Sequence, residues 1–341
     1  MNERPILGIT MGDPAGIGPE IAVKSLLRSQ TYRKCRPLII GDAGVVAYTA
    51  ERILEARCRI NAVDAPDKAR FEPGVLDVLD LGCVDIGKFK VGEVSPMCGD
   101  AAFKSVAKAI ELAMAGHIHG TVTGPLNKEA MNKAGHHYNG HTEIYADLTG
   151  TRDYAMLLAG ENLRVVHVTT HVAVAGVSER VTKDRVLKVI RLGNDAVKKF
   201  GVDTPRIAVS GLNPHAGENG LFGSEEGERI VPAIREAEAE GIIVSGPHPP
   251  DTVFCKAAGG AFDLVVAMYH DQGHIPMKLL SFKYDARTDT WSDMTGVNIT
   301  LGLPIVRTSV DHGTAFEQAG RGQANPNSLI YAIDCGAMLS R

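Results

Sequence analysis

The chain alternates between short apolar runs rich in Val and Ile and longer stretches in which apolar residues recur with helical spacing. Short runs that are apolar throughout are typical of strands buried on both faces of a sheet. Two longer stretches, 182–200 and 224–240, predict amphipathic helices, the second with Ser224 as its N-cap and Gly241 at its end. This alternation predicts the α/β class, with a mostly parallel sheet covered by helices on both faces. The predicted strands are 6–10, 37–40, 120–123, 164–168, 206–209 and 264–268.

The composition is that of an ordinary globular protein and excludes several functional classes. The 341 residues suggest about two domains of roughly 150 residues, or one large α/β unit. The formal net charge is -4, so the composition does not indicate the basic surface that nucleic-acid binding requires. No apolar run reaches the roughly 18 residues that span a membrane. The first residues show no apolar secretory segment, and the six cysteines form no CxxC pair, as is typical of reduced thiols. We therefore expect a cytoplasmic enzyme without nucleic-acid or membrane partners.

Three histidines each follow a predicted strand at its carboxyl end: His171, His215 and His270. Ligands bind beyond the carboxyl ends of strands in open α/β sheets, so three imidazoles brought to one edge could meet at a single ion. A single histidine in such a place is more often a hydrogen-bonded loop residue. Three neutral nitrogens with one vacant position suit Zn²⁺ or Co²⁺ better than Mg²⁺. Asp251 and Asp271 are candidates for proton transfer or for orienting a ligand.

The chemistry of such a centre stays open on these residues alone. An ion held by three histidines could polarise a bound hydroxyl or carbonyl as a Lewis acid. It could instead activate water in a hydrolase with Asp271 as the base, and a catalytically inactive sensor of sugar phosphates is a third possibility. His167 and His274 lie close to this set in sequence and are interpreted as buried structural side chains.

Several segments could bind an anion, although each also has a purely structural interpretation. Residues 12–19 link a strand to a helix through a glycine-rich turn, where free backbone amides favour a negative charge. His141 and Thr142 open a helix and could donate hydrogen bonds to a phosphate or carboxylate, although Thr142 could equally serve as a cap. The remaining candidates, which could also be solvated surface residues, are Lys278, Asn298 and Arg307.

Four segments resemble the 4-hydroxythreonine-4-phosphate dehydrogenase family, whose members serve pyridoxal phosphate biosynthesis. They are residues 11–21 (MGDPAGIGPEI), 213–218 (NPHAGE), 268–273 (MYHDQG) and 297–304 (VNITLGLP), and the resemblance runs from about residue 5 to 335. It implies two intimately joined α/β/α domains of the isocitrate/isopropylmalate dehydrogenase type, with a cleft between them. We expect one domain to comprise residues 1–125 plus 300–341, and a central domain with the metal and substrate residues to comprise 126–299.

A second resemblance concerns the nicotinamide cofactor. Residues 311–315 (DHGTA) and 319–326 (AGRGQANP) are similar to the cofactor-side signature of isopropylmalate and isocitrate dehydrogenases, which bind their dinucleotide without a Rossmann fingerprint. The resemblance implies NAD or NADP as the cofactor. The residues expected to bind it are His312, Gly313, Thr314, Ala315 and Asn325.

The family's site residues transfer to matching positions of this chain. The resemblance implies one divalent metal ion (Zn, Co or Mg) on His171, His215 and His270. It also implies a homodimer in which the metal site is shared between subunits, with His270 contributed across the interface. The substrate residues that it implies are His141, Thr142, Lys278, Asn298 and Arg307.

The implied reaction is the metal-dependent, NAD(P)-linked oxidation and decarboxylation of a four-carbon 4-phosphorylated hydroxy acid. Asp251 or Lys278 is the expected general base, and Asp271 is the third catalytic candidate. The segment 270–280 resembles more closely the relatives that act on D-threonate or D-erythronate 4-phosphate. A relative that oxidises a dihydrodiol of terephthalate is the third choice, because it lacks the His-Thr pair. An insertion at 281–295, which contains Trp291, departs from the family pattern and bears on specificity.

Overall fold

A computed structural model describes residues 4–287 and 290–341 of the chain. Its strands are β1 (Ile6–Thr10), β2 (Arg36–Gly41), β3 (Arg59–Val63), β4 (Val75–Asp80), β5 (Gly120–Thr123), β6 (Ala155–Ala159), β7 (Arg164–His167), β8 (Ile207–Ser210), β9 (Val244–His248), β10 (Leu264–Ala267), β11 (Phe282–Asp285), β12 (Thr290–Met294), β13 (Val297–Leu301) and β14 (Val306–Val310).

The α-helices complete the α/β pattern that the sequence predicts. They are α1 (Gly18–Leu26), α2 (Ser29–Lys34), α3 (Ala43–Tyr48), α4 (Pro96–Met114), α5 (Lys128–Lys133), α6 (His141–Leu148), α7 (Val177–Arg180), α8 (Lys183–Lys199), α9 (Val231–Ala239), α10 (Pro250–Ala258), α11 (His270–Ser281) and α12 (Asn327–Leu339). Within the described ranges, no helix is both long enough and apolar enough to cross a membrane.

The chain divides into two compact units. Unit 1 comprises the described residues up to Arg152 together with Leu303–Arg341. Its strands run in the order β3-β4-β2-β1-β5-β14 and all pair in parallel. Helix α4 packs against β1, β2 and β5, and α12 packs against β14 and β5. Strands β1, β2, β5 and β14 are almost fully buried because helices and loops cover the sheet, whereas most of the edge strand β3 is accessible.

Unit 2 is the continuous segment Asp153–Gly302. Its strands run in the order β13-β6-β7-β10-β8-β9, with antiparallel pairing at β13-β6 and β6-β7 and parallel pairing from β7 onward. Helix α8 packs against β7 and β10, and α10 packs against β8 and β10. A buried core that includes Leu158, Val165 and Val265 lies beside this sheet. Unit 2 is therefore a mixed sheet whose parallel part carries the three strands that precede the histidines.

The six predicted strands are present, with boundaries that differ by no more than one residue at either end. The predicted helix 182–200 is α8, whose N-cap Thr182 accepts a hydrogen bond from the backbone of Arg185. The predicted helix 224–240 differs at its start: residues Glu226–Ile230 form a wider π-helical turn, and no side-chain cap is present. Pro232 has no N–H to donate to the carbonyl of Glu228, and this missing α-helical bond accounts for the wider turn.

The boundary between the units differs from the predicted one. Residues 126–152 belong to unit 1, although they were expected in the central domain. The reason is packing: Met131, Ile144 and Tyr145 share one apolar cluster with Val106 and Ile110 of α4. The substrate candidates His141 and Thr142 therefore lie in unit 1.

The predicted insertion 281–295 contains β11 and β12, which pair antiparallel as a separate two-stranded sheet. Residues 288 and 289 of this insertion lie outside the described residues, and so does the side chain of Trp291.

Candidate functional site

The three strand-end histidines of unit 2 follow neighbouring strands. Strands β7, β10 and β8 are adjacent and parallel, so their carboxyl ends face the same edge of the sheet. His171 comes four residues after β7 ends, His215 five residues after β8, and His270 is the first residue of α11, three residues after β10. The topology thus provides the arrangement from which a shared ion was predicted.

Two of these histidines lie together in a pocket. The ring centroids of His171 and His270 are 5.9 Å apart. Both line a pocket of about 300 Å³, together with Thr170, Tyr269 and Asp271. Nδ1 of His270 lies 2.7 Å from a carboxylate oxygen of Asp271, a pairing that orients an imidazole and leaves its Nε2 available to a ligand. Among the described residues of the single chain, no group of three His, Cys, Asp or Glu side chains is placed to hold a metal ion.

A row of histidine rings extends from this pocket into the interior. His270 stacks on His274 with ring centroids 3.6 Å apart, and His274 lies 4.7 Å from His167. His167 is fully buried, and burial, followed by the neighbouring His274, lowers its pKa to about 3. Burial and the charge of His270 lower the pKa of His274 to about 4. Both rings are therefore neutral near pH 7, in agreement with their interpretation as buried structural side chains.

His215 lies in an unusual turn, residues 214–220, in which consecutive residues adopt left-handed backbone conformations. The φ angles are 53° at His215, 55° at Ala216, 43° at Glu218 and 57° at Asn219, with Gly217 at 80° between them. Each non-glycine residue in this conformation costs roughly 1–2 kcal/mol. Strain of this kind persists only where surrounding contacts hold it, and it clusters at functional sites.

One buried carboxylate accepts three hydrogen bonds from the segment that leads into this turn. Glu226, which is 5% exposed, accepts hydrogen bonds at Oε1 from the backbone N–H groups of Leu212 (2.8 Å) and Asn213 (2.7 Å). Its Oε2 accepts a third bond, at 3.0 Å, from the side-chain amide of Asn213. No sequence motif pointed to Glu226, because its role depends on a tertiary contact with backbone N–H groups that lie 13 and 14 residues earlier in the chain.

The predicted catalytic and substrate residues of unit 2 lie on three different elements. Asp251 is exposed in the first turn of α10, a helix that packs against the turn 214–220. Lys278 is exposed, follows His270 by two helical turns, and has its ammonium 5.2 Å from the ring centroid of Phe282. Asn298 on β13 has a buried Oδ1 that lacks a hydrogen-bond partner within the described part of the chain. Such a buried acceptor is expensive unless a ligand supplies the donor.

Unit 1 contains a buried polar cluster around Arg307 on β14. Arg307 is 3% exposed and donates from Nη2 to the hydroxyl oxygen of Thr123 at 3.1 Å. Its guanidinium carbon lies 5.5 Å from the ring centroid of Tyr145, whose hydroxyl donates to Thr121 at 2.9 Å. Burial lowers the pKa of Arg307 to about 10, so the guanidinium stays charged at neutral pH.

His141 belongs to the same cluster. It is the first residue of α6, one turn before Tyr145. Burial, followed by the charge of Arg307, lowers the pKa of His141 far below its ordinary value, so the ring is neutral. Its Nε2 is buried without a hydrogen-bond partner in the described ranges. A buried cation beside an unsatisfied imidazole nitrogen can receive an anionic group such as a phosphate or carboxylate. Of the members of this cluster, sequence reasoning named His141 and Arg307, but not Tyr145 or Thr123.

The two glycine-rich segments of unit 1 lie against each other. The N–H of Ile17 donates to the carbonyl of Thr314 at 3.0 Å. A Cβ at Gly16 would lie only 2.9 Å from Thr314, so only glycine permits this approach. In the same C-terminal segment, His312 has a buried Nε2 without a hydrogen-bond partner among the residues described. Asn325 accepts at Oδ1 from the N–H of Asn327 at the start of α12.

Asp13 is a site candidate that sequence reasoning missed. It follows β1 within the first glycine-rich segment and is fully buried. Its Oδ1 accepts from the N–H of Ala15 at 2.9 Å, but its Oδ2 has no hydrogen-bond partner in the described part of the protein. Burial raises the pKa of Asp13 to about 6. The only signal in the sequence was its place within a glycine-rich turn, which does not by itself indicate burial.

The residues present fit the groups that the sequence implies. Two adjacent imidazoles, one of them held by a carboxylate, have the donor chemistry of a Zn²⁺ or Co²⁺ centre. The buried, unsatisfied Nε2 of His312 and the close approach of the two glycine-rich segments fit a ligand that brings its own hydrogen-bonding groups, as a dinucleotide does.

Comparison with known proteins identifies relatives over the full chain. Residues 33–336 match the family described as "Pyridoxal phosphate biosynthetic protein PdxA". The chain is 46% identical over 337 residues to D-threonate 4-phosphate dehydrogenase of Cupriavidus necator, covering 98% of this chain and 97% of that protein. It is 47% identical over 338 residues to 4-hydroxythreonine-4-phosphate dehydrogenase of Desulforapulum autotrophicum, covering 99% of this chain and 96% of that protein.

Solved structures agree with this result. A crystal structure of a 4-hydroxythreonine-4-phosphate dehydrogenase from Burkholderia phymatum superimposes with a TM-score of 0.84 at 45% identity, covering 99% of each chain. A β-decarboxylating dehydrogenase from Thermococcus kodakarensis superimposes with a TM-score of 0.51 at 13% identity, covering 96% of this chain and 81% of that one. This second likeness concerns the fold alone, and with the first it confirms the predicted fold class.

Proposed function

The chain belongs to the family of the pyridoxal phosphate biosynthetic protein PdxA, and on that premise we propose that it oxidises and decarboxylates a four-carbon 4-phosphorylated hydroxy acid. It is an oxidoreductase, as the dehydrogenases to which it is similar over its full length establish. The observation that carries the proposal for the substrate is the pairing in unit 1 of a buried, charged Arg307 with a half-buried, neutral His141 whose Nε2 is buried. Such a pair suits the phosphate or carboxylate of this acid.

Two substrate classes are consistent with the relatives. One is 4-hydroxythreonine 4-phosphate, and the alternative is D-threonate or D-erythronate 4-phosphate. The relatives named for these two activities are almost equally similar to this chain. The segment 270–280 favours the alternative, since its sequence resembles the D-threonate and D-erythronate enzymes more closely.

The chain's own residues would bind and orient the substrate. A divalent ion held by His171, His215 and His270 would polarise the secondary hydroxyl, and NAD⁺ or NADP⁺ would accept the hydride. Asp271 would keep the His270 ring oriented through the 2.7 Å contact between them. Arg307 would bind the anionic end of the substrate.

The remaining groups would accept the proton and bind a substrate hydroxyl. Lys278 follows His270 and His274 on one face of α11, and it or Asp251 would take the hydroxyl proton. Asn298, with its unsatisfied Oδ1, would accept a hydrogen bond from a substrate hydroxyl. The resulting 3-keto acid would then lose carbon dioxide.

We further propose a homodimer that completes the metal site. Ile275, Leu279 and Leu280 form an exposed apolar face on α11, in which Ile275 and Leu279 are 65% and 79% exposed. This face lies on the helix that begins with His270, so a second copy seated on it would meet the metal site. Apolar side chains so exposed, and so close together, are typical of an interface.

The decisive experiment is a substrate panel with a nicotinamide readout. The purified protein is incubated with phosphorylated threonate, erythronate or hydroxythreonine, with NAD⁺ or NADP⁺, with and without added Co²⁺ or Zn²⁺. Reduction of the dinucleotide and release of carbon dioxide, both requiring metal and the phosphate, would support the proposal. Oxidation of an unphosphorylated acid at an equal rate would reject the role given to the anion site, and metal-independent turnover would reject the metal centre.

A further inference from the structure

The turn 214–220 and its buried carboxylate have no part in the mechanism above, beyond the fact that the turn carries His215. This turn cannot hold its conformation through local sequence preference, because four of its residues are non-glycine residues with positive φ. Leu212 and Asn213, which lead into it, are held by two backbone hydrogen bonds to one oxygen of Glu226. Hydrogen bonds to an ionised carboxylate are stronger than those between neutral groups.

The turn is also built around that carboxylate. A Cβ at Gly217 would lie 2.7 Å from Oε2 of Glu226, so the turn passes directly over the carboxylate at a position without a side chain. A Cβ at Gly211 would lie 2.6 Å from the Cα of Ala216, which brings the end of β8 equally close to the turn. Ala216 donates from its N–H to the carbonyl of Asn213 at 3.1 Å, and this bond joins the turn to the segment that Glu226 holds.

We propose that Glu226 is a positioning residue for the metal centre: its buried carboxylate holds the turn 214–220 in the left-handed conformation and so fixes the direction in which His215 presents its imidazole. The proposal rests on the proposed function, since it takes His215 as a metal ligand. Glu226 acts through the backbone of residues 212–213 and touches neither metal nor substrate. Residues that orient a ligand in this way typically change metal affinity by about 10- to 100-fold when they are replaced.

The test is a Co²⁺ titration of the metal-free full-length protein, followed by the visible absorption of bound Co²⁺, which reports the number and geometry of its ligands. We expect Glu226→Ala to weaken Co²⁺ binding by about 10- to 100-fold and to change the absorption spectrum. Glu226→Gln keeps the shape and one acceptor oxygen, so we expect a smaller loss in the same direction. Glu228→Gln is the matched control, because this substitution removes the same charge from an exposed side chain on the same helical turn. The Glu228→Gln variant should bind Co²⁺ like the wild type.

The outcomes separate this inference from the proposed function. His215→Ala should abolish the wild-type spectrum; if it does not, His215 is not a ligand, and both the metal assignment and the inference are wrong. If His215→Ala loses binding while both Glu226 variants keep wild-type affinity and spectrum, the metal assignment stands and the inference is overturned. Should Glu226→Ala fail to fold, Glu226→Gln decides: a folded Gln variant with an unchanged Co²⁺ spectrum and affinity contradicts the proposal.

Discussion

Part of the chemistry that the structure suggests depends on single buried polar side chains. Arg307 is the sharpest example, because its charge lies almost out of contact with solvent yet is oriented by the hydroxyl of Thr123 at 3.1 Å. A buried cation held in this way is preorganised for an anion and does not have to be ordered when the substrate arrives.

Replacing Thr123 tests this orientation without removing the charge. Thr123→Val keeps the shape of the side chain but removes the acceptor for Nη2 of Arg307. Since a hydrogen bond to a charged group contributes about 1.5–3 kcal/mol, we expect KM for the phosphorylated substrate to rise at least about tenfold, with a smaller change in kcat. Steady-state kinetics measure both constants, with Arg307→Ala as the reference for complete loss. An unchanged KM in Arg307→Ala would mean that this cluster does not bind the substrate.

Asp13 provides a prediction about stability and pH. Its pKa in the folded state, about 6, lies above its ordinary value of 3.8 because the carboxyl is buried. Between these values the folded protein holds a proton that the unfolded chain has lost, so the contribution of this group to the free energy of unfolding falls as pH rises from about 4 to 6. Asp13→Asn removes this dependence on pH, so we expect the free energy of unfolding of the variant, relative to that of the wild type, to rise by about 2.5 kcal/mol between pH 4 and pH 8.

Urea unfolding of both proteins at several pH values measures this difference. The exposed Asp67 offers a control of the same chemistry, and Asp67→Asn should follow the pH dependence of the wild type. Parallel curves for Asp13→Asn and the wild type would show that Asp13 is ionised in the folded protein throughout this range.

At the scale of elements, loops that meet at close range connect distant parts of unit 1. The N-terminal segment around Gly16 and the C-terminal segment around Thr314 approach each other so closely that a Cβ on Gly16 would overlap Thr314. This contact brings the predicted anion-binding turn against the predicted cofactor segment, although nearly 300 residues separate them in sequence.

Gly16→Ala tests that contact. The added methyl group has to displace the backbone or side chain of Thr314, and overpacking of this kind typically costs about 1–3 kcal/mol. We expect a lower free energy of unfolding in urea and a higher KM for the dinucleotide. Gly227→Ala is the matched control, because nothing lies within 4 Å of a Cβ at that position. Equal stability and equal KM for the two variants would contradict the close approach.

Regular elements and strand ends could be predicted from the sequence because they rest on local patterns. Continuous apolar runs identified the buried strands, and the position of His171, His215 and His270 after such runs placed them at one edge of the sheet of unit 2. The left-handed turn at His215 could not be predicted in this way, because the carboxylate that stabilises it belongs to Glu226, across a tertiary contact. The role of Tyr145 could not be predicted for the same reason, since its hydroxyl donates a hydrogen bond to Thr121 on a different element.

At the scale of the whole molecule, the apolar face of Ile275, Leu279 and Leu280 predicts association. Leu279→Glu places a charge on the most exposed of these side chains, which is 79% exposed. Burying that charge in an interface is expensive, so we expect a dimeric wild type and a monomeric variant that binds Co²⁺ more weakly, since the metal site would lack its second subunit.

Light scattering coupled to size-exclusion chromatography measures the mass of each protein. Ile243→Glu is the control, because Ile243 is also an exposed apolar residue, 54% accessible, but lies in the segment before β9 instead of on α11. A Leu279→Glu variant that remains dimeric with full metal affinity would exclude this face as the interface.

The discontinuity of unit 1 has a consequence for how the protein is made. Strand β14 pairs with β5, and α12 packs on both, so the first 152 residues leave a vacant place in their sheet until the last segment has been synthesised. Unit 2 is continuous and has all of its strands once residue 302 has left the ribosome. We therefore expect unit 2 to reach its native state before unit 1. The N-terminal segment of unit 1 can complete its sheet only after the C-terminal segment has been synthesised. During that wait the edge of β5 is an unpaired parallel strand, the kind of edge that chaperones protect in a nascent chain.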